Sequence, residues 1–290
     1  MILSNLMLST RVNQRWQFSG MDSLEKCQNK NHFKSYPYPV EYVYNSRGFR
    51  DAEWPNDIDQ LKHAIWCVGD SFTEGMGSPA EHAWPYLLHK QTNIRTINVS
   101  LDGASNEWIA RKTIDILTEI NPEYIILHWS YLHRREISQQ EIWEKEADRS
   151  WKELYTMFRE PGWPDCDTLA ESKKLPNYMQ EKIALHWTDP YYTDEERRRS
   201  NMYSTPDQDL QNLKDCIVTI CKANKCTKII HSVIPHFTLG DNLQDIINDI
   251  MSEIKISVIP YFNNLDMARD GYHYDIKTAN HFVNQLTKLI

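Results

Sequence analysis

Long apolar runs are missing from this chain. No stretch of its 290 residues approaches the ~20 consecutive apolar residues that a membrane-spanning helix needs. The opening MILSNLMLST is short and interrupted, and it lacks the basic start and small-residue cleavage site of a secretory leader. No membrane association is expected, and the expected location is the cytoplasm or a virion. An excess of basic charge is missing too: 32 Lys and Arg against 40 Asp and Glu give a formal net charge of −8. Nucleic-acid binders neutralise phosphates with a basic stripe. The one cationic run, Arg197-Arg198-Arg199, follows Asp194-Glu195-Glu196 and reads as a solvated helix face. Nucleic acid is not expected as a partner. Six cysteines (Cys27, Cys67, Cys166, Cys216, Cys221 and Cys226) show no metal-ligand or disulfide-framework spacing. Reduced thiols and no metal are the expectation. Internal repeats, low-complexity tracts, a Walker A sequence and a G-x-S-x-G elbow are all missing as well.

What is present begins with aromatics. Ten Trp and 15 Tyr read first as core and surface girdle, and second as a platform on which a sugar or another flat ligand stacks. Five short apolar runs stand out: His63–Val68, Arg95–Ser100, Tyr124–Trp129, Lys228–Ile234 and Ile256–Ile259. Their apolarity is continuous rather than alternating, which implies strands covered on both faces. Helical spacing fills the intervals at Ala80–Gln91, Asn106–Ile120, Asp207–Ala223, Asn242–Ile254 and Ile276–Leu289. The alternation predicts an α/β fold, a three-layer doubly wound sheet of about five parallel strands. Residues 61–290 form this domain, and residues 1–60 wrap it. Residues 131–206 carry no apolar strand, several prolines and many aromatics, and are read as a mostly helical inserted cap.

In an open parallel sheet, ligands gather beyond the carboxyl ends of the strands. After the first strand comes Gly69-Asp70-Ser71-Phe72-Thr73-Glu74-Gly75. A serine at a strand-to-helix turn is exposed beside backbone N–H groups that stabilise a developing oxyanion. The following Gly75-Met76-Gly77-Ser78-Pro79-Ala80 loosely matches a dinucleotide fingerprint. Its glycines come too late after the strand, Pro79 interrupts it and no acidic ribose partner follows. No cofactor is expected. Gly103 lies in the loop after the second strand, ahead of a helix capped by Ser105 or Asn106. Near the C-terminus, Asp270-Gly271-Tyr272-His273 offers a base and the group that orients it. The remaining histidines read as structural or surface residues.

GDSFTEG, the glycine after the second strand and a D-x-x-H block before the last helix resemble the SGNH (GDSL-like) hydrolase superfamily. Asn45-Ser46-Arg47-Gly48-Phe49-Arg50 is similar to a segment that precedes the nucleophile strand in several such families. The resemblance spans about Asn45 to Ile290 apart from the cap, and WSYLHRRE with HYDIKTANHF looks like a divergent, phage-type branch. It implies the flavodoxin-like strand order and a catalytic set of Ser71, Asp270 and His273, with the Ser71 and Gly103 N–H groups as oxyanion donors. One block departs from the family. Where G-x-N-D is usual, the third strand runs into Trp129-Ser130, so the third donor is missing. Ser130, or a charged Arg134 or Arg135, stands closest to its place. An unreplaced oxyanion donor costs about 2.7–4 kcal/mol of transition-state stabilisation.

Three functions stay open. The first is an ester hydrolase removing acetyl or short acyl groups from a carbohydrate or small ester. The second is a binding or structural protein on the same scaffold, such as a virion or cell-surface component. The third is acyl transfer to a carbohydrate acceptor, separated from hydrolysis by how well the cap excludes water.

Overall fold

The computed structural model describes residues 5–8, 11–19, 22–24, 28–132, 206–235 and 262–290, with isolated positions that include Arg134 and 257–259. Strands β1 (Arg15–Trp16) and β2 (Tyr42–Val43) form a small antiparallel pair. Strands β3 (Ile65–Gly69), β4 (Thr96–Ser100), β5 (Tyr124–Trp129), β6 (Lys228–Val233) and β7 (Ser257–Val258) form one parallel sheet. Its order is β4-β3-β5-β6-β7, the flavodoxin-like winding that reverses direction beside β3.

The continuous apolar runs are explained by two covered faces. On one face Trp66, Val68, Ile97, Val99, Ile125, Leu127 and Trp129 pack with helices α5 (Asn106–Glu119) and α6 (Pro206–Ala223). On the other, Ile65, Cys67, Ile126 and Ile230 meet helices α4 (Trp84–Thr92) and α7 (Ile276–Leu286). Alternate residues of each strand therefore serve opposite layers. A fully buried side chain of this size contributes about 1.5–3 kcal/mol, so packing far outweighs helix propensity here.

Residues ahead of the sheet join the first of these clusters through Leu6, Leu8, Phe49 and Trp54. Gly48 takes φ +82°, and a Cβ there would stand 2.1 Å from the Leu8 carbonyl oxygen. Only glycine allows the two segments to approach this closely.

Several boundaries differ from the sequence expectation. The first sheet strand starts at Ile65, because His63 is spent as the C-cap of helix α2 (Ile58–Lys62). The helix expected over Ala80–Gln91 is divided: Ala80–His82 is a 3-10 turn, and α4 begins at Trp84. Pro85 has no N–H to donate and fits only the first helical turn, which sets that start. The last helix ends at Leu286 rather than Leu289. Helix α1 (Asn31–Ser35), α2 and the β1/β2 pair are too short for any periodic signal. The helix read at Asn242–Ile254 and nearly all of the cap lie outside the described residues.

Candidate active site

The first sheet-edge loop forms where β3 meets α3 (Ser71–Glu74). A Cβ on Gly69 would lie 2.0 Å from Thr73 Oγ1 and 3.0 Å from the His128 carbonyl, so the turn closes only over a glycine. Asp70 caps α3, its Oδ1 accepting the Phe72 N–H at 3.0 Å, and Gly75 ends it at φ 76° in the left-handed region. Ser71 is thereby fixed as the first residue of the helix, and the residue is 1% exposed.

Residues from the start of the chain hold this loop from behind. Arg50 Nη1 donates to the Gly75 carbonyl at 2.5 Å, and its Nη2 donates to the carbonyls of Ser78 at 2.8 Å and Glu41 at 2.9 Å. Glu74 is buried and accepts from Arg11 Nη1 at 3.0 Å, from the Tyr44 hydroxyl at 2.8 Å and from the Asp102 N–H at 2.7 Å. One carboxylate thus joins the loops after β3 and β4. Removing one partner of such a buried pair costs about 3–5 kcal/mol.

The loop before α7 brings an imidazole. Asp270 Oδ1 accepts the N–H groups of Tyr272 at 2.8 Å and His273 at 3.0 Å, which folds the short D-x-x-H segment back on itself. Asp270 Oδ2 accepts from His273 Nδ1 at 2.6 Å, and His273 Nε2 lies 2.8 Å from Ser71 Oγ. When Nδ1 carries the proton and donates it to Asp270, Nε2 keeps its lone pair for the Ser71 hydroxyl. Gly77 lies against Asp270 at φ +74°, where a Cβ would stand 2.9 Å from Asp270 Cγ. The Arg269 N–H donates to the Gly77 carbonyl at 2.8 Å and ties the two loops.

Electrostatics follows from these contacts. Burial alone would lower the His273 pKa, but the charge and hydrogen bond of Asp270, with the charges of Asp102 and Asp70, outweigh it and the net shift is upward. Burial alone would raise the Asp270 pKa; the His273 charge and the hydrogen bonds from His273 and Tyr272 bring it below the usual carboxylate value. Phe72, 4.7 Å from the imidazole between ring centroids, and Tyr272, at 5.0 Å, flank His273. The hydroxyls of Tyr131 and Tyr272 bond to each other beside Phe72.

Gly103 follows β4 with φ 83°. Neither its N–H nor that of Ser71 is donated to a backbone carbonyl among the described residues. Ser130 and Arg134 stand at the end of β5, but both turn toward Asp70. Ser130 Oγ donates to Asp70 Oδ2 at 2.6 Å and Arg134 Nη1 does so at 2.8 Å. The Ser130 N–H is donated to Asn106 Oδ1 at 2.9 Å. Arg135 lies outside the described residues.

Sequence reasoning passed over a second cluster. Asp275 accepts from Ser78 Oγ at 2.9 Å, His82 Nδ1 at 2.7 Å and the Tyr36 hydroxyl at 2.6 Å. Ser78 and His82 address the same Asp275 oxygen, so no hydroxyl is relayed through the imidazole. The cluster anchors the start of α7 to the loop after α3. Its only signal in the sequence is polar residues inside otherwise apolar surroundings.

Among the described residues no helix is long and apolar enough to cross a membrane, and no three His, Cys, Asp or Glu gather as metal ligands. Among the described residues Cys67, Cys216, Cys221 and Cys226 form no disulfide. No family model and no curated protein matches the chain. Solved structures are similar at low identity. The crystal structure of TesA shares 13% identity over 78% of this chain and 96% of that one, with a TM-score of 0.46. The psychrotrophic esterase EstA from Pseudoalteromonas sp. shares 14% over 78% and 95%, at 0.41. A family two carbohydrate esterase from Clostridium thermocellum shares 11% over 83% and 65%, at 0.43. Identities this low leave the site's own geometry to carry any statement about chemistry.

Proposed function

We propose that the chain is a serine ester hydrolase of the SGNH type. The observation that carries this reading is the single imidazole bridging two partners, with His273 2.8 Å from Ser71 Oγ and 2.6 Å from Asp270 Oδ2. A serine hydroxyl is a weak nucleophile until a base in hydrogen-bond reach takes its proton, and the base needs an orienting carboxylate. Ser71 Oγ attacks the acyl carbonyl while His273 Nε2 takes the hydroxyl proton. The carbonyl oxygen becomes an oxyanion facing the Ser71 and Gly103 N–H groups. As the tetrahedral centre collapses, His273 delivers the proton to the leaving alcohol. Water then attacks the acyl-serine by the same path, releasing the acid and restoring Ser71.

Acetyl or short acyl esters of a carbohydrate or small alcohol are the substrates this reading favours. A nucleophile with 1% exposure suits a small acyl group, and the Tyr131–Tyr272 pair beside Phe72 offers an apolar wall with polar tips. A binding protein on the same scaffold has no use for a proton path through a buried imidazole.

The test is labelling by a fluorophosphonate and turnover of p-nitrophenyl acetate, each beside Ser71→Ala and His273→Ala. Labelling at Ser71 with turnover lost in both variants supports the reading. A wild type that is neither labelled nor faster than the variants overturns it in favour of the binding scaffold.

A further inference from the structure

Asp70 is the residue before the nucleophile, and its side chain is fully buried. As the cap of α3 it needs only an acceptor oxygen, which a neutral asparagine also supplies. A carboxylate there brings a cost. Attack by Ser71 builds negative charge on the acyl oxygen a few ångströms away, and a fixed negative charge in a water-poor site opposes it. The same charge favours the protonated form of His273, which is unable to act as a base. Something must offset Asp70.

Arg134 is placed to do so. Its side chain is 4% exposed and Nη1 lies 2.8 Å from Asp70 Oδ2. Nη1 also lies 2.7 Å from Ser130 Oγ and 3.3 Å from the carbonyl of Ala104, the residue after Gly103. The guanidinium carbon sits 4.8 Å from the Tyr131 ring centroid, a distance at which the ring face attracts a cation. One guanidinium therefore touches all three sheet-edge loops: Asp70 after β3, Ala104 after β4, and Ser130 with Tyr131 after β5. Its Nη1 has two hydrogens and already faces three acceptors, so it has none left for a substrate oxygen.

Resting on the esterase reading of Ser71, we propose that Arg134 is a positioning residue, the counter-charge that cancels Asp70 at the nucleophile and base and holds the Gly103 loop through Ala104. It acts through Asp70, offsetting the field of that carboxylate at Ser71 and His273. The charges acting on His273 are Asp270 on its own loop, Asp70 after β3 and Asp102 after β4; the Phe72 and Tyr272 rings flank it, and Arg134 reaches it through Asp70. Only the Asp70–Arg134 balance changes in the variants below.

The experiment is a titration of the His273 imidazole by 15N–1H NMR in the full chain without substrate, for wild type, Arg134→Met, Asp70→Asn, the double variant and Arg134→Lys. Losing the cation leaves Asp70 uncompensated, so Arg134→Met raises the His273 pKa by about one unit; Asp70→Asn lowers it by a similar amount. The double variant returns near wild type, and Arg134→Lys stays close to it. The acid limb of kcat for p-nitrophenyl acetate moves in the same directions, and kcat of Arg134→Met falls about a hundredfold with KM little changed. A merely structural arginine predicts no opposed shifts, and shifts that are absent or of one sign overturn the proposal. If Arg134→Met fails to fold, the charge-balanced double variant beside Asp70→Asn decides: a higher His273 pKa in the double variant than in Asp70→Asn supports the counter-charge, and equal values overturn it. If His273 shifts as stated while fluorophosphonate leaves Ser71 unlabelled, the esterase reading fails and the counter-charge stands. If Ser71 is labelled and the titration does not move, the counter-charge fails and the esterase reading stands.

Discussion

His273 and His231 are both shut away from solvent, at 2% and 1% exposure, yet they are driven in opposite directions. Burial lowers the pKa of each. Around His273 three loops supply Asp270, Asp102 and Asp70, and the net shift is upward. His231 lies inside β6, accepting the Trp129 indole N–H at 3.1 Å on Nδ1, while its Nε2 has no hydrogen-bond partner among the described residues. With no charge to oppose burial, its pKa falls to about 3. A buried imidazole becomes a base through the carboxylates around it. Strand interiors cannot supply those, because their neighbours belong to the two apolar layers; strand ends can.

The sharpest contrast is in turnover. Ser71→Ala or His273→Ala is expected to lower kcat by about 10⁵–10⁶-fold, whereas His231→Gln leaves kcat per folded molecule within about threefold. Hydrolysis of p-nitrophenyl acetate, normalised to folded protein by circular dichroism, checks both. Equal losses at the two histidines would erase the distinction.

Asp270→Asn should turn His273 into a histidine of the His231 kind. Without the carboxylate, burial dominates and the His273 pKa falls below its ordinary 6.5, while kcat drops by about 10⁴-fold as the tautomer is lost. In the wild type the acid limb of the rate profile lies above 6.5, because the raised His273 pKa keeps the base protonated there. A wild-type limb below that value would contradict the upward shift.

The next effect is on stability. The His231 pKa is about 3 when folded and about 6.5 when unfolded. Between those values the unfolded chain binds the extra proton, so stability falls as pH drops through this window. At pH 5 the loss attributable to His231 is about 2 kcal/mol. Urea melts at pH 7.5 and 5 should show His231→Phe losing that much less than wild type.

The smallest effect is a control that neither histidine should feel. Ser105 caps α5 by accepting the Trp108 N–H at 3.2 Å, and Ser105→Ala should cost about 1 kcal/mol. Thermal melts would register it, and the pH profile should stay in place.

Legibility follows range and period. The sheet is legible because β3 to β6 are runs of apolar residues buried on two faces, and the meeting of Ser71, His273 and Asp270 because Ser71 follows a strand and the Asp270–His273 block precedes the final helix. Pro85 marks the start of α4 in the sequence. What the sequence hid was joined by single long-range contacts without a period: Arg11 and Tyr44 on Glu74, Tyr36 on Asp275, and Arg134 on Asp70. The substitution at Ser130 was visible, but where its hydroxyl turned was not. That depends on a carboxylate sixty positions earlier.

The grip of Arg11, Tyr44 and Arg50 on the nucleophile loop bears on how this protein can be divided. The parallel sheet begins only at Ile65, which invites an excision that keeps only the sheet and its helices. Such a fragment would strand the Glu74 carboxylate without Arg11 and Tyr44, and leave the Gly75 and Ser78 carbonyls without Arg50. The Ser71 loop and the leading segment form one structural unit. A graft of this site onto another scaffold has to carry both.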